Sequence, residues 1–512
     1  MFKDNQSIFN LFVICLTAIL FNFYFGSIGV YPIDTFAFFD SSHAIINGSL
    51  PFKDYWVMNG PILDFFQSIF FYLMGVKWYA YLLHSSLINA IFAISSYYLF
   101  EYFGLKKSLS LLYAISISIL AYPVVGVPFP DHHSIIFSLI GVYFLFFAIS
   151  SQKKIYWILL PIILFVAFFS KQAPAGYFIV LLSISTIIYS IIFKKYDWII
   201  PVLTSSLVLI FLLIFFLKIN NINIQDFLIQ YLLFPKTIGN YRFDQFNFSF
   251  IKIILNYKLI FLSLLILLYI FVSNILRDKN PLIEKKTLFV ILITMSVLIS
   301  IFHQLLTKNQ DFIYFLIPLI CGFANCLLKK NKRILIGILI SLTLFSTLKY
   351  HLRFNVDRKF MELEHADKNT YLKGEKISNI LKGLKWINGE FIGTPEEEIN
   401  YLKSTINYLK SDERNFIIIT NYQFLLSAID KKNYSPNRWY TVDGVSYPLK
   451  ENKYFNYYKK FYNQKLKEKK IKVVYTVLPL TIETIDFLLA KKCFNSKKIN
   501  PILFEHTLKD CF

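Results

Sequence analysis

Residues 8–28, IFNLFVICLTAILFNFYFGSI, run directly into residues 29–40, GVYPIDTFAFFD. The first stretch is about 21 residues without a charge, which at 1.5 Å per residue is enough to cross the hydrocarbon core of a bilayer. No small-residue cleavage site follows it, so it is expected to be a retained helix and not a removed signal peptide. Similar apolar runs recur near 78–100, 108–126, 133–150, 155–170, 174–193, 198–217, 256–276, 287–306, 311–328 and 333–350, so the chain is expected to make about eleven spans. Of the 512 residues 56% are hydrophobic and 19% aromatic. The mean hydropathy is +0.51, a value suited to lipid and not to water. The net charge of +21 resides, up to about residue 350, in short clusters between apolar runs, which argues against nucleic acid as a partner.

Those clusters orient the chain. Lys106-Lys107, Lys153-Lys154, Lys194-Lys195, Arg277 to Lys286 and Lys329 to Arg333 occupy every second connection, so these connections and the N-terminus are expected in the cytoplasm. The opposite face then receives 30–77, the turn from Gly126 to His133, the turn from Lys171 to Ala175, 218–255, Thr307 to Gln310, and everything after about 350. Within 30–77, Pro61 to Met74 is apolar over about 14 residues, too short for a comfortable span, and is predicted as an interfacial or re-entrant helix. Trp56 and Trp78 are predicted at the headgroup level.

From about residue 351 the composition turns to Lys, Asn, Glu and Tyr. Lys373 to Trp386 is patterned as an amphipathic helix, and Phe416 to Thr420 and Ile471 to Val477 as strands that each precede a helix, a small α/β domain in outline. No glycine-rich phosphate loop follows either strand. The expected division is therefore a transmembrane part, 1–350, and a soluble non-cytoplasmic domain, 351–512. Cys15, Cys321 and Cys326 fall in apolar runs and read as core residues, whereas Cys493 and Cys511 lie in the polar tail, where a disulfide between them is open.

Asp34 follows the first span directly and so lies at the membrane surface, where a carboxylate can reach a lipid-linked substrate. After it come Ala44, Gly48, Pro51-Phe52, Asp54 and Gly60-Pro61. This ordered set resembles the GT-C membrane glycosyltransferases, among them the protein O-mannosyltransferases and the aminoarabinose transferases of lipid A. It differs in having Thr35 after Asp34, where such proteins often carry a second acidic residue. The resemblance implies a GT-C-like polytopic helical fold and transfer of a sugar from a polyprenyl-phosphate donor to a lipid, glycan or protein acceptor. It also implies Asp34 as the catalytic base, an aspartate being otherwise a good helix cap. Asp54 would order the loop or contact the sugar, and Asp40 would face solvent. Tyr314 and Pro318 resemble a Tyr-x-x-x-Pro helix start found late in such transferases.

Pro128 to His133 brings Asp131, His132 and His133 to the face of Asp34. Asp34, Asp131 and His132 could hold a divalent cation; Mg is open, and the Asp and His donors suit Mn or Zn better. Lys171-Gln172 ends the fifth span on the external face, where the charge rule supplies no reason for a lysine. A lipid phosphate is one reason and snorkelling to headgroups the other. Arg242, His303 and Lys308 are further cations on that face. Asn437 to Tyr440 with Asp443-Gly444 could touch sugar or simply order a loop. The Lys, Ile, Asn and Phe bias points to an AT-rich genome and a bacterial inner membrane, with the tail in the periplasm. A polysaccharide polymerase or ligase is the alternative function. A transporter is disfavoured because the charges gather at one face and not within the spans.

Overall fold

The computed structural model describes residues 5–246, 249–276, 285–308, 312–328, 332–441, 443–486, 488 and 491–509. Each of the apolar runs forms a helix. Among the described residues, eight helices are long and apolar enough to cross a membrane: Asn5–Gly26, Trp78–Tyr102, Pro130–Ser151, Gln172–Phe193, Ile199–Ile219, Phe250–Ile275, Lys285–Thr307 and the helix that begins at Arg333. The remaining three runs give shorter apolar helices, Lys107–Leu120, Lys154–Ser170 and Leu316–Cys326. Pro130–Ser151 is the most enclosed of the eight and packs against Lys154–Ser170, Gln172–Phe193 and Lys285–Thr307. Ile199–Ile219 is the least enclosed, with apolar side chains facing outward along its length, as a helix bathed in lipid requires.

Helix Pro61–Met74 forms where expected, with Gly60 at its N-cap in the left-handed region (φ 62°) and Pro61 at its first position. Its amphipathicity is inverted: Asp64, Gln67 and Ser68 are buried, while Ile69, Tyr72 and Leu73 are exposed. That distribution is stable only if the outer face meets lipid. Trp56 and Trp78, expected at the headgroups, are instead buried. Trp56 packs edge-on to Phe234, Tyr458 and Phe461, and Trp78 to Phe36. Aromatic partners from distant segments outcompete the interface for these rings.

Two sheets complete the molecule. β1 (Ile28–Val30), immediately after the first span, pairs in parallel with β3 (Lys385–Asn388), which pairs antiparallel with β2 (Leu372–Lys373). The second sheet has the order β4-β5-β7-β6, with β4 (Phe416–Ile419) parallel to β5 (Val473–Val477), and β6 (Phe494–Lys498) and β7 (Leu503–Leu508) antiparallel. The amphipathic helix expected over Lys373 to Trp386 is absent. That stretch holds two 3-10 turns, Gly374–Lys376 and Asn379–Leu381, between β2 and β3, because β3 satisfies its backbone against the chain leaving the first helix. The last long helix continues past residue 350 into a π-helical turn, His351–Val356.

Arg358, fully buried just beyond that turn, binds four backbone carbonyls: Ile28 (3.0 Å), Pro123 (2.8 Å), Val124 (3.1 Å) and Val125 (3.4 Å). One guanidinium thereby ties β1 to the turn that leads into helix Pro130–Ser151. A second lock on that turn is steric. A Cβ on Gly126, at φ +83°, would lie 2.3 Å from the Cα of Gly26, and Asn22 Nδ2 donates to the Gly126 carbonyl at 3.0 Å.

Candidate functional site

Asp34 sits on a single helical turn, Pro32–Thr35, that Pro32 initiates. Asp131 is in the first turn of helix Pro130–Ser151, likewise opened by a proline. Lys171 and Gln172 form an elbow between two helices. Pro174 disfavours helical backbone at Ala173 (φ −112°, ψ 128°), and Lys171 is itself extended (φ −163°, ψ 134°). His303 lies in the last turns of helix Lys285–Thr307.

Three of these, Asp131, Lys171 and His303, distant in sequence, meet. Lys171 Nζ lies 2.7 Å from Asp131 Oδ2, and His303 Nε2 lies 2.7 Å from Asp131 Oδ1. Both oxygens of the buried Asp131 are thus engaged, and it holds Lys171 and His303 in place. Asp34 is half-buried and feels both Asp131 and Lys171. Loss of hydration and, next, the negative charge of Asp131 push its carboxyl up to about 7, against the opposing pull of Lys171. A carboxyl so placed exchanges its proton near neutral pH.

Beside this cluster lies a cavity of about 470 Å³ whose wall includes Lys171, Gln172, Lys236, Arg242 and His303, with no aspartate or glutamate among the described residues. Gln172 Nε2 donates to the carbonyls of Met58 (2.7 Å) and Tyr231 (2.6 Å), which closes the cavity against the first loop and the segment after Ile199–Ile219. Such a surplus of cationic groups over carboxylates suits an anion. Lys236 was missed by sequence reading, although it is one of few cations in the connection that carries Arg242.

The other site expectations resolve as follows. His132 Nε2 contacts the carbonyl oxygen of Ala121 at 3.1 Å, and its ring packs against Tyr122, Phe129 and Phe312. His133 likewise turns inward, to Tyr122 and His84. Among the described residues no group of three or more His, Cys, Asp or Glu side chains could hold a metal ion, so Asp34, Asp131 and His132 do not fit one together. Asp54 does not line the cationic cavity; it accepts from Leu50 N at 2.9 Å and pairs with Lys469 at 3.2 Å, ordering its own loop. Asp40, expected in solvent, is buried and accepts from Ser427 N (2.9 Å), Ser427 Oγ (2.5 Å) and Leu426 N (3.3 Å), capping a turn of the C-terminal part.

Arg438 is also buried. It pairs with Asp64 at 2.7 Å, lies over the rings of Phe38 and Trp439, and binds Asn59 Oδ1 at 2.8 Å. Its role is to fasten the first loop to the C-terminal part. Lys308 does not line the cavity. Tyr314 stacks on Tyr350. Cys493 is disulfide-bonded, whereas Cys511 lies outside the described residues.

No family model and no curated protein matches the chain. Among solved structures, the chain is similar to the archaeal oligosaccharyltransferase AglB from Archaeoglobus fulgidus, solved with an inhibitory peptide and a dolichol-phosphate. The TM-score is 0.46 and the identity 10%, over 100% of this chain and 75% of that one.

Proposed function

We propose that the protein is a membrane glycosyltransferase that moves a sugar from a polyprenyl-phosphate carrier to an acceptor hydroxyl at the outer face of the membrane, in the bacterial case the periplasmic face of the inner membrane. The observation that carries this reading is a carboxyl poised near neutrality, Asp34, beside a cavity whose described lining carries Lys171, Lys236 and Arg242 and no acidic group. In the reaction, Asp34 accepts the proton of the acceptor hydroxyl while its oxygen bonds to the anomeric carbon. The bond from that carbon to the carrier phosphate oxygen breaks, and its electron pair stays with the phosphate. The leaving phosphate gains charge as the bond lengthens, so Lys171 and Arg242 stabilise it more in the transition state than before it. Asp131, through His303 and Lys171, keeps the ammonium aimed and discharges part of its repulsion with Arg242. No step is routed through a metal, because the donor set does not fit one.

The test is transfer of radiolabelled sugar from synthetic polyprenyl-phosphate donors in membranes carrying the full chain. Asp34→Asn is expected to lower turnover by about 10²- to 10⁴-fold, as loss of a general base does. Lys171→Met is expected to lower kcat by about 10²- to 10³-fold. EDTA should leave the wild-type rate unchanged. Turnover indifferent to Asp34→Asn would remove the base and favour the polymerase or ligase reading, and inhibition by EDTA would overturn the metal-free scheme.

A further inference from the structure

A second cavity, of about 410 Å³, opens in the C-terminal part on the other side of the Asp34 turn. Pro32, two residues before Asp34, forms part of its wall, and the hydroxyl of Tyr31 donates to Glu390 on its rim. Its chemistry differs from that of the cationic cavity: Phe391, Tyr401 and Tyr422 supply ring surface, aliphatic and proline side chains complete the apolar wall, Asn388, Asn421 and Glu390 supply hydrogen-bonding groups, and no lysine or arginine among the described residues lines it. A buried carboxylate holds this wall in shape. Glu398 accepts from Trp386 Nε1 (2.7 Å), Asn388 Nδ2 (2.8 Å) and Tyr422 OH (2.8 Å), and Asn388 Oδ1 in turn accepts from Glu390 N at 3.0 Å. Four side-chain contacts therefore set the ring of Tyr422 and the turn that carries Glu390 before any ligand arrives.

Ring faces beside carboxamides and one carboxylate, without cations, match a neutral molecule with apolar faces and many hydroxyl donors. A phosphorylated ligand would meet Glu390 and no counter-charge, and a lipid tail would strand the polar wall. We infer that this cavity binds a saccharide and that the acceptor of the reaction is a glycan, delivered to Asp34 from the C-terminal part. The inference rests on the transferase reading for its role in the reaction, but the binding does not.

The purified full chain in detergent would be passed over an array of neutral oligosaccharides and over a set of serine- and threonine-containing peptides. Retention of neutral oligosaccharides is expected, weakened about tenfold by Tyr401→Ala through loss of one ring face. Glu390→Gln is expected to weaken it also, and thermal unfolding of both variants serves as the control for folding. Retention of peptides alone, of no oligosaccharide, or of oligosaccharides equally by wild type and both variants would overturn the inference. Donor turnover is read separately. If Asp34-dependent turnover stands and oligosaccharide retention fails, the cavity is wrong; if retention stands and no donor turns over in an Asp34-dependent way, the transferase reading is.

Discussion

Asp34 and Asp131 are two carboxylates in one neighbourhood with opposite surroundings. Asp131 has Lys171 and His303 against its two oxygens, whereas at Asp34 the loss of hydration and the charge of Asp131 outweigh the pull of Lys171. A base must be ionised to accept a proton, so with its carboxyl at about 7 the pH profile of kcat/KM should rise from pH 6 and level off above pH 8. A flat profile over that range would exclude Asp34 as the titrating base. The same value has a consequence for stability. An unfolded aspartate titrates near ~3.9, so the folded state pays to ionise Asp34 as pH rises from there to about 7, and the cost is constant above it. Asp34→Asn should thus gain little thermal stability over wild type at pH 5 and more at pH 8. The candidate base was legible because it follows the first span directly. Its tuning was not, since Asp131 lies almost a hundred residues away.

The first loop is built as an element only in combination with the C-terminal part. Helix Pro61–Met74 buries Asp64, which is neutralised by Arg438 and receives Ser41 Oγ at 2.6 Å. A charge left alone in such a place is costly, so Arg438→Ala should destabilise the folded protein by about 3–5 kcal/mol, and Asp64→Leu combined with Arg438→Met should recover most of that loss. Thermal unfolding followed by tryptophan fluorescence would measure both. A double variant no more stable than Arg438→Ala would mean that the pair is not what fastens the loop. Asp40 at the turn containing Ser427, and Trp439 Nε1 donating to the Ala37 carbonyl at 3.2 Å, act across the same junction. None of these could be assigned from spacing, because each links residues several hundred positions apart.

Across the whole molecule, Asp34, Asp131, Lys171 and His303 lie in connections, or at the helix ends that border them, which the distribution of lysines and arginines assigns to one face. That assignment predicts that Glu413→Cys reacts with a membrane-impermeant maleimide in intact cells and Lys195→Cys only after lysis; both native residues are exposed. The reverse pattern would invert the topology. The positions of the apolar helices of residues 1–350 were legible in the sequence alone, since a backbone in lipid must satisfy its hydrogen bonds within each apolar run and a run's length is plain to read. The strands Phe416–Ile419 and Val473–Val477 were likewise legible as β-branched runs. What only the tertiary structure decided is partnership: that β1 leaves the first helix to pair with β3, that Trp56 and Trp78 turn inward, that His132 meets the Ala121 carbonyl, and that Lys236 joins Lys171 and Arg242 around one cavity. Local pattern reports which face of an element is apolar. Which distant group meets a buried charge or ring depends on long-range packing, where the cost of leaving a polar group unpaired selects the partner.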